Sequence, residues 1–353
     1  MSSSFNVVDL FCGAGGLSLG FKKAGFNVLF AADNDTKAIK TYNHNLGYHA
    51  EVVDIYRLSG SDILKKIGEN KAVDIVIGGP PCQGFSIQRR GSDTDDRNYL
   101  VLEYARLVSQ LNPYIFVMEN VSGLLSKRGE EVLKSLKETL GATFEFYTKK
   151  LDASKFGVPQ ARKRVFLIGV NKHKVDKAFE FPEPIPEFEL IPLTVRDSIA
   201  DLQHVDEEHA YNHKADKLSA INLERIKSIT AGQGRDSLPE HLQLACHKNN
   251  ASHRHLDTYG RMPWDSVAPT ITARFDSFSR GRFGHPEEDR TVTLREGARL
   301  QTFPDDFQFF GTKVEVARQI GNAVPPKLSN CIAEHIKCFL NENIKVQNKE
   351  VAV

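Results

Sequence analysis

The chain has 353 residues, a formal net charge of +1, 41% hydrophobic and 26% charged residues. Those proportions are those of a soluble globular protein with a large core; they exclude a disordered or fibrous chain, and any nucleic-acid surface must come from local clustering. The five cysteines, at positions 12, 82, 246, 331 and 338, form no CxxC pair and are odd in number, so reduced thiols are expected and not a disulfide framework. Met1-Ser2-Ser3-Ser4 runs directly into an apolar strand with no signal-like segment, and no apolar run reaches a membrane span, so a cytoplasmic protein is expected.

Residues Phe5 to Phe11 read as a strand, Cys12-Gly13-Ala14-Gly15-Gly16 as a tight turn, and Leu17 to Phe21 as the start of a helix. Such a turn lets a ligand approach bare backbone N–H groups at a helix N-terminus. Its spacing is GxGG and not GxGxxG, which favours a nucleoside over a dinucleotide. A second strand, Val28 to Ala32, ends at Asp33, where a doubly wound sheet puts an acid for ribose hydroxyls. A helix from Lys37 to Asn43 and a third strand near Glu51-Val52-Val53 follow, ending in Asp54-Ile55.

The apolar run Val73 to Ile77 predicts a buried strand that ends in Gly78-Gly79-Pro80-Pro81 and presents Cys82. A packing cysteine needs neither a rigid Pro-Pro lead-in nor an exit into a loop, Gln83 to Asn98, that holds Arg89, Arg90 and Arg97. After a helical stripe from Tyr99 to Leu111, the strand Tyr114 to Met118 ends in Glu119-Asn120-Val121 and brings a carboxylate to the same sheet edge. Burial there raises its pKa and suits it to hold or give a proton. A helix from Lys127 to Leu140 and a strand from Phe144 to Leu151 come next. In the extended stretch Gln160-Ala161-Arg162-Lys163-Arg164, alternation puts Arg162 and Arg164 on one face, fit for phosphate or a base carbonyl.

A proline-rich connector, Phe181 to Pro186, ends the βα regularity. The polar stretch beyond it contains Gly232-Gln233-Gly234-Arg235, a Cys246-His247 and His253-Arg254-His255 patch, and arginines interleaved with aromatics from Arg274 to Phe283. The interleaving is that of a nucleic-acid surface, and the His/Cys spacing fits no standard zinc pair, so no metal is expected. Helical character returns at Thr293 to Gln301, and Gln319 to Pro326 leads into a helix from Lys327 to Leu340.

The sequence resembles the DNA (cytosine-5) methyltransferases, of the bacterial restriction-modification type. The resemblance rests on six motifs in order: Asp9 to Gly16, Gly79 to Ser86, Glu119-Asn120-Val121, Gln160 to Arg164, Arg295 to Gln301 with Phe303-Pro304-Asp305, and Gly321-Asn322-Ala323-Val324-Pro325. It implies a doubly wound, Rossmann-like α/β sheet that binds S-adenosyl-L-methionine, with a smaller, loop-rich target-recognition lobe. The corresponding boundaries are 1–185 for the catalytic and cofactor-binding domain, 186–290 for target recognition, 291–320 for a helical hinge and 321–353 for the return to the catalytic domain.

It also implies roles. Cys82 adds to cytosine carbon 6, Glu119 acts at ring nitrogen 3, and Arg164, supported by Arg162, seats the base. Phe11, Asp33, Asp54 and Ile55 hold the nucleoside of the cofactor, and Gly13, Gly15, Gly16, Asn34, Pro80, Leu100, Asn322 and Val324 complete its pocket. Ser86, Gln88, Arg89 and Arg97 from the loop after Cys82, with Arg235, Arg274, Arg280 and Arg282, are the expected DNA contacts, Gln88 filling the space left by a flipped base. The expected partner is double-stranded DNA, with functional pairing to a cognate restriction endonuclease and no membrane, and the protein is expected to be a monomer. Asn34 departs from the bulkier residue many relatives carry. Two rivals, a catalytically silent DNA-binding regulator and an RNA cytosine methyltransferase, are opposed by the intact Cys82, Glu119 and Arg164 and by the long recognition region respectively.

Overall fold

The computed structural model describes residues 4–68, 70–81, 99–205, 208, 210–245 and 257–344. Strands β1 (Asn6–Leu10), β2 (Asn27–Asp33), β3 (Ala50–Val52), β4 (Ile75–Gly78), β5 (Ile115–Asn120), β6 (Phe144–Asp152) and β7 (Lys163–Asn171) form one sheet. Its order is β3-β2-β1-β4-β5-β7-β6. The first five strands run parallel, and β7 lies antiparallel between β5 and β6. Continuous apolar runs such as Ile75-Val76-Ile77 and Ile115-Phe116-Val117-Met118 form strands here because both sheet faces are covered.

Helices α1 (Gly16–Lys23), α2 (Thr36–Leu46), α3 (Gly60–Ile67), α4 (Tyr99–Leu111) and α5 (Lys127–Leu140) follow successive strands or precede them. One face of the sheet packs Val8, Leu10, Val76 and Phe116 against α3, α4 and α5. The other packs Val7, Ile75, Ile77 and Val117 against α1 and a long C-terminal helix over Pro326–Asn343. That helix sits so close to α1 that a Cβ on Gly20 would lie 2.3 Å from Ser329 Oγ, and the same serine hydroxyl donates to Leu17 O at 2.7 Å. Only glycine permits this approach.

Beyond the sheet come α6 (Pro186–Leu190), α7 (Val195–Ile199), α8 (Ala220–Lys227), α9 (Leu294–Leu300) and α10 (Lys313–Asn322), the long helix being α11. Two smaller cores hold this half together. The larger joins Ile271, Phe275 and Phe283 to α7, α9, α10 and α2; the other gathers Ile226, Ile229, Leu238 and Phe278.

Three elements differ from the sequence reading. Glu119 and Asn120 lie inside β5, paired with Phe166 and Val165, and not beyond its end. Helix α3 was not anticipated, although the Ser59/Asp62 capping box that starts it is a recognisable signal. Gln319 to Asn322, read as an approach to the last helix, is the end of α10, which begins at a Thr312/Glu315 box. Among the described residues no helix is long and apolar enough to cross a membrane, and no group of three or more His, Cys, Asp or Glu could hold a metal ion.

Candidate active site

The carboxyl ends of the parallel strands open into one cavity of about 1220 Å³. The turn after β1 forms its first wall. Phe11 stands there with φ 60°, a left-handed conformation that an aromatic residue adopts only when its surroundings impose it. Gly13, at φ 52°, also lines the cavity, and a Cβ built on it meets nothing within 4 Å, so bare backbone faces the space. Gly16 lies against Val324, 2.4 Å from a Cβ to the carbonyl oxygen, and closes the turn onto the last segment.

Asp33 ends β2. Its Oδ2 accepts from Gly13 N at 2.9 Å and its Oδ1 from Asp35 N at 2.9 Å, with the Asn34 N–H also acting on it, so the turn and the acid are held as one unit. Burial pushes its carboxyl above the usual range, against those same N–H donors. Asn34, Ile55 and Leu100 line the cavity, as do Asn322 and Val324 from the junction of α10 and α11. Asp54 is there too, its half-exposed carboxylate accepting from Tyr56 N at 3.2 Å. Gly15 and Pro80 are not on the wall. Gly15 caps α1 with Tyr42 and Leu46 packed against it, and Pro80 offers its carbonyl to Asn120 Nδ2 at 3.0 Å; Gly79 and Pro81 line the cavity in its place.

At the inner end lies Glu119. It is 8% exposed, and Arg164 Nε approaches its Oε1 at 3.0 Å. Burial raises its pKa, and the charges of Arg164 and then Arg162 only partly oppose the rise. The carboxyl therefore holds a proton more readily than an exposed glutamate, beside a guanidinium that also donates from Nη1 to Lys163 O at 2.8 Å.

Arg162 lies close enough for its charge to act on Glu119 and Arg164, but its guanidinium is bound to main-chain carbonyls. It is 1% exposed and donates from Nη1 to Ile271 O at 2.9 Å and from Nη2 to Gly321 O and Ala323 O at 3.0 and 2.9 Å. Gln160 donates to Leu300 O at 2.8 Å and Gln301 Oε1 at 2.7 Å and accepts from Ile271 N. These two residues tie the sheet to the second half. Arg295 likewise spends its guanidinium on the carbonyls of Tyr211, Pro304 and Phe307.

The expected DNA contacts divide. Arg274 and Arg280 are exposed, Arg274 leaning on Asp276 at 3.1 Å; Arg282 is half-buried and pairs with Asp257 at 2.8 Å. Arg235 is buried at 8% and so does not present a surface guanidinium. The aromatics between the arginines, Phe275, Phe278 and Phe283, fill the two cores and form no stacking face. Cys82, Ser86, Gln88, Arg89 and Arg97 lie outside the described residues, as do Cys246, His247 and His253 to His255.

Sequence reasoning passed over Asp9 as a site residue. The signal was present, a charge inside the apolar strand Val7-Val8-Asp9-Leu10, and the residue is part of the cavity wall. Glu315, Arg318 and Gln319 of α10 also line the cavity, and no motif or periodicity marks them.

A model of the C-5 cytosine-specific DNA methylase family matches residues 5–338. The chain belongs to that family. It is a DNA (cytosine-5) methyltransferase with a Rossmann-like sheet. It is 37% identical to the type II methylase M.HgiDII of Herpetosiphon aurantiacus, over 95% of both chains. To the type II methyltransferase M1.HphI of Haemophilus parahaemolyticus it is 36% identical, over 94% of this chain and 87% of that one. A crystal structure of a DNA modification methyltransferase encoded within an E. coli prophage superimposes with TM-score 0.76 at 28% identity, covering 96% of this chain and 100% of that one.

Proposed function

We propose that this methyltransferase transfers a methyl group from S-adenosyl-L-methionine to carbon 5 of a cytosine flipped out of a short, specific duplex DNA sequence. The observation that carries the reading is Glu119, paired with Arg164, on the wall of a cavity that Asp33, Gly13 and Phe11 also line. The residues present fit the donor: a carboxylate held in place at the end of a strand on the cavity wall suits ribose hydroxyls, and a bare glycine backbone beside a fixed aromatic ring suits an adenosine. When bound, that donor supplies a sulfonium methyl group to carbon 5.

The chain's own residues supply the rest. Cys82 follows directly on Pro81, which lines the cavity, and its thiolate adds to cytosine carbon 6. Glu119 gives its proton to ring nitrogen 3 as the addition proceeds, which keeps charge off the ring and leaves carbon 5 nucleophilic. Arg164 donates to the base carbonyl and to Glu119, fixing both. Once methylated, carbon 5 loses its proton to a base, the carbon–sulfur bond breaks to return the Cys82 thiolate, and ring nitrogen 3 gives its proton back to Glu119. Cys12 is excluded as the nucleophile: burial, then the nearby Asp9 and Asp33, push its thiol well above the ordinary value, and an un-ionised thiol attacks poorly.

The target carbon is inaccessible in a stacked duplex, so the base is extruded at a cost of roughly a few kcal/mol. Gln88 fills the gap, and Arg274, Arg280 and Arg282 approach the DNA from the region 186–290, the target-recognition domain in this reading. Residues 1–185 form the catalytic domain, 291–320 the hinge and 321–353 the return. The protein acts as a cytoplasmic monomer and protects host DNA from a cognate restriction endonuclease.

The test incubates wild type and Cys82→Ala with unmethylated plasmid and S-adenosylmethionine and maps methylcytosine by bisulfite sequencing. Protected cytosines in one short repeated context, made by the wild type only, are expected. An unmodified plasmid despite measured donor binding would overturn the duplex-DNA reading.

A further inference from the structure

Asp9 sits one residue before the carboxyl end of β1, just ahead of the glycine turn, with no exposure to solvent. Its Oδ2 is 2.6 Å from Ser18 Oγ on α1, and Ser18 Oγ is 2.9 Å from Tyr42 Oη on α2. Tyr42 Oη is 3.1 Å from Nε2 of His49, a half-buried residue just before β3. Three hydrogen bonds in series thus lead from beneath the cavity to the edge of the protein. The other carboxyl oxygen, Oδ1, is buried without a hydrogen-bond partner, and Asp9 belongs to the cavity wall.

The chain has two consistent directions. In one, His49 Nε2–H donates to Tyr42, Tyr42 to Ser18 and Ser18 to an ionised Asp9. In the other, a protonated Asp9 donates to Ser18, Ser18 to Tyr42 and Tyr42 to the Nε2 lone pair of His49. Hydroxyls serve either way because each is both donor and acceptor, and imidazole exchanges tautomers. Switching from the second to the first moves one proton from Asp9 to His49, whose Nδ1–H then passes to solvent.

We propose that Asp9 is the proton-exchanging counter-ion of the cofactor cavity: neutral before the donor binds, and ionised through Ser18, Tyr42 and His49 when the sulfonium enters. The inference rests on the reading of S-adenosylmethionine as the donor. The groups that act on Asp9 agree with it. Asp33 from β2, Cys12 from the turn, Tyr42 from α2 and Tyr104 from α4 are all acids, and none offers a positive charge. Burial is the largest effect and, with Asp33, holds the carboxyl up at about 8 despite the Ser18 hydrogen bond. At the far end, burial and Lys22 keep His49 below the ordinary imidazole value, so it is neutral and able to accept. A cation brought into the same low-dielectric cavity is the one missing term that favours the carboxylate. The product of transfer, a neutral thioether, lacks it, so the proton returns as the methyl leaves.

Calorimetry on the whole protein tests this, with S-adenosylmethionine titrated at about pH 7 in buffers of different ionisation enthalpy. Release of about one proton per donor bound is expected, with almost none for S-adenosylhomocysteine, and donor affinity rising about tenfold per pH unit between roughly pH 6 and 8 before it levels off. Asp9→Asn should abolish both the release and the pH dependence; release that persists in this variant, or binding without release in the wild type, overturns the proposal. Should Asp9→Asn fail to fold, infrared difference spectra of the wild type decide: donor binding must remove one protonated-carboxyl band. Tyr42→Phe cuts the chain, so the proton should appear in a pH-dye stopped-flow trace more slowly than in the wild type, and an unchanged rate would overturn the route. Absence of donor binding altogether would instead count against the donor itself.

Discussion

Two glutamates, one in each half of the molecule, are both buried and both face arginine, yet they titrate in opposite directions. Burial pushes Glu119 up, and one contact from Arg164 Nε at 3.0 Å leaves it up. Burial also pushes Glu296 of α9 up, but Arg290 grips both its oxygens at 2.8 and 2.7 Å, Thr293 N donates at 2.6 Å, and the net shift is down. A carboxylate that is fully satisfied is a structural brace. One that is left short of partners in the same kind of burial is poised to exchange a proton, and the difference marks which half does chemistry.

Removing an anchor from either half should cost about the same for different reasons. Phe116→Ala opens a hole between β5 and its neighbouring aromatic rings, Phe144 and Phe146, and should destabilise by about 3–5 kcal/mol in urea unfolding. Arg290→Met should cost a similar amount, about 3–5 kcal/mol, because Glu296 is left charged and buried; adding Glu296→Gln should recover much of it, whereas no polar change rescues Phe116→Ala.

The next effect sharpens the contrast. Glu119→Gln should lower methyl transfer by roughly 10²–10⁴-fold with the protein still folded. The stability profiles of the two glutamines should diverge with pH. Glu119, raised in the folded state, contributes stability that is present below its ordinary 4.5 and lost as pH rises through its folded value. Glu296, lowered in the folded state, contributes stability that is present above 4.5 and lost as pH falls through its folded value. Glu119→Gln should therefore flatten the alkaline side of the profile, and Glu296→Gln the acid side.

The parallel strands were legible because a strand buried on both faces has to be a continuous apolar run, and the cavity residues follow from where those runs stop. The second half was not, and arginine is the reason. Arg162, Arg235 and Arg295 look like binding residues by charge, but all three are buried, and Arg162 and Arg295 are used on main-chain carbonyls that loop-rich folding leaves without partners. Charge is visible in a sequence, while the carbonyls that satisfy it are not: those of Arg162 come from residues more than a hundred positions away, and one of those of Arg295 from Tyr211. The apolar run from Val165 to Gly169 reads as a strand, but not its antiparallel direction, since such a run reads the same either way.

The smallest expected effect tests the arginines that do remain outside. Arg274→Ala should change stability by no more than about 0.5 kcal/mol. If Arg274 meets a phosphate, it should lower the salt dependence of DNA binding by about one ion, measured as the slope of log affinity against log salt concentration.

The contact between Gly20 and Ser329, with Arg162 fastened to Gly321 and Ala323, has a consequence for synthesis. A nascent chain that has released its first three hundred residues already holds Glu119 and Arg164, but one wall of the cavity and the helix that covers α1 are still inside the ribosome. The enzyme is thus without a closed site until nearly its last helix emerges, and a ribosome that stalls late yields a chain able to fold its sheet but not to assemble its cofactor cavity.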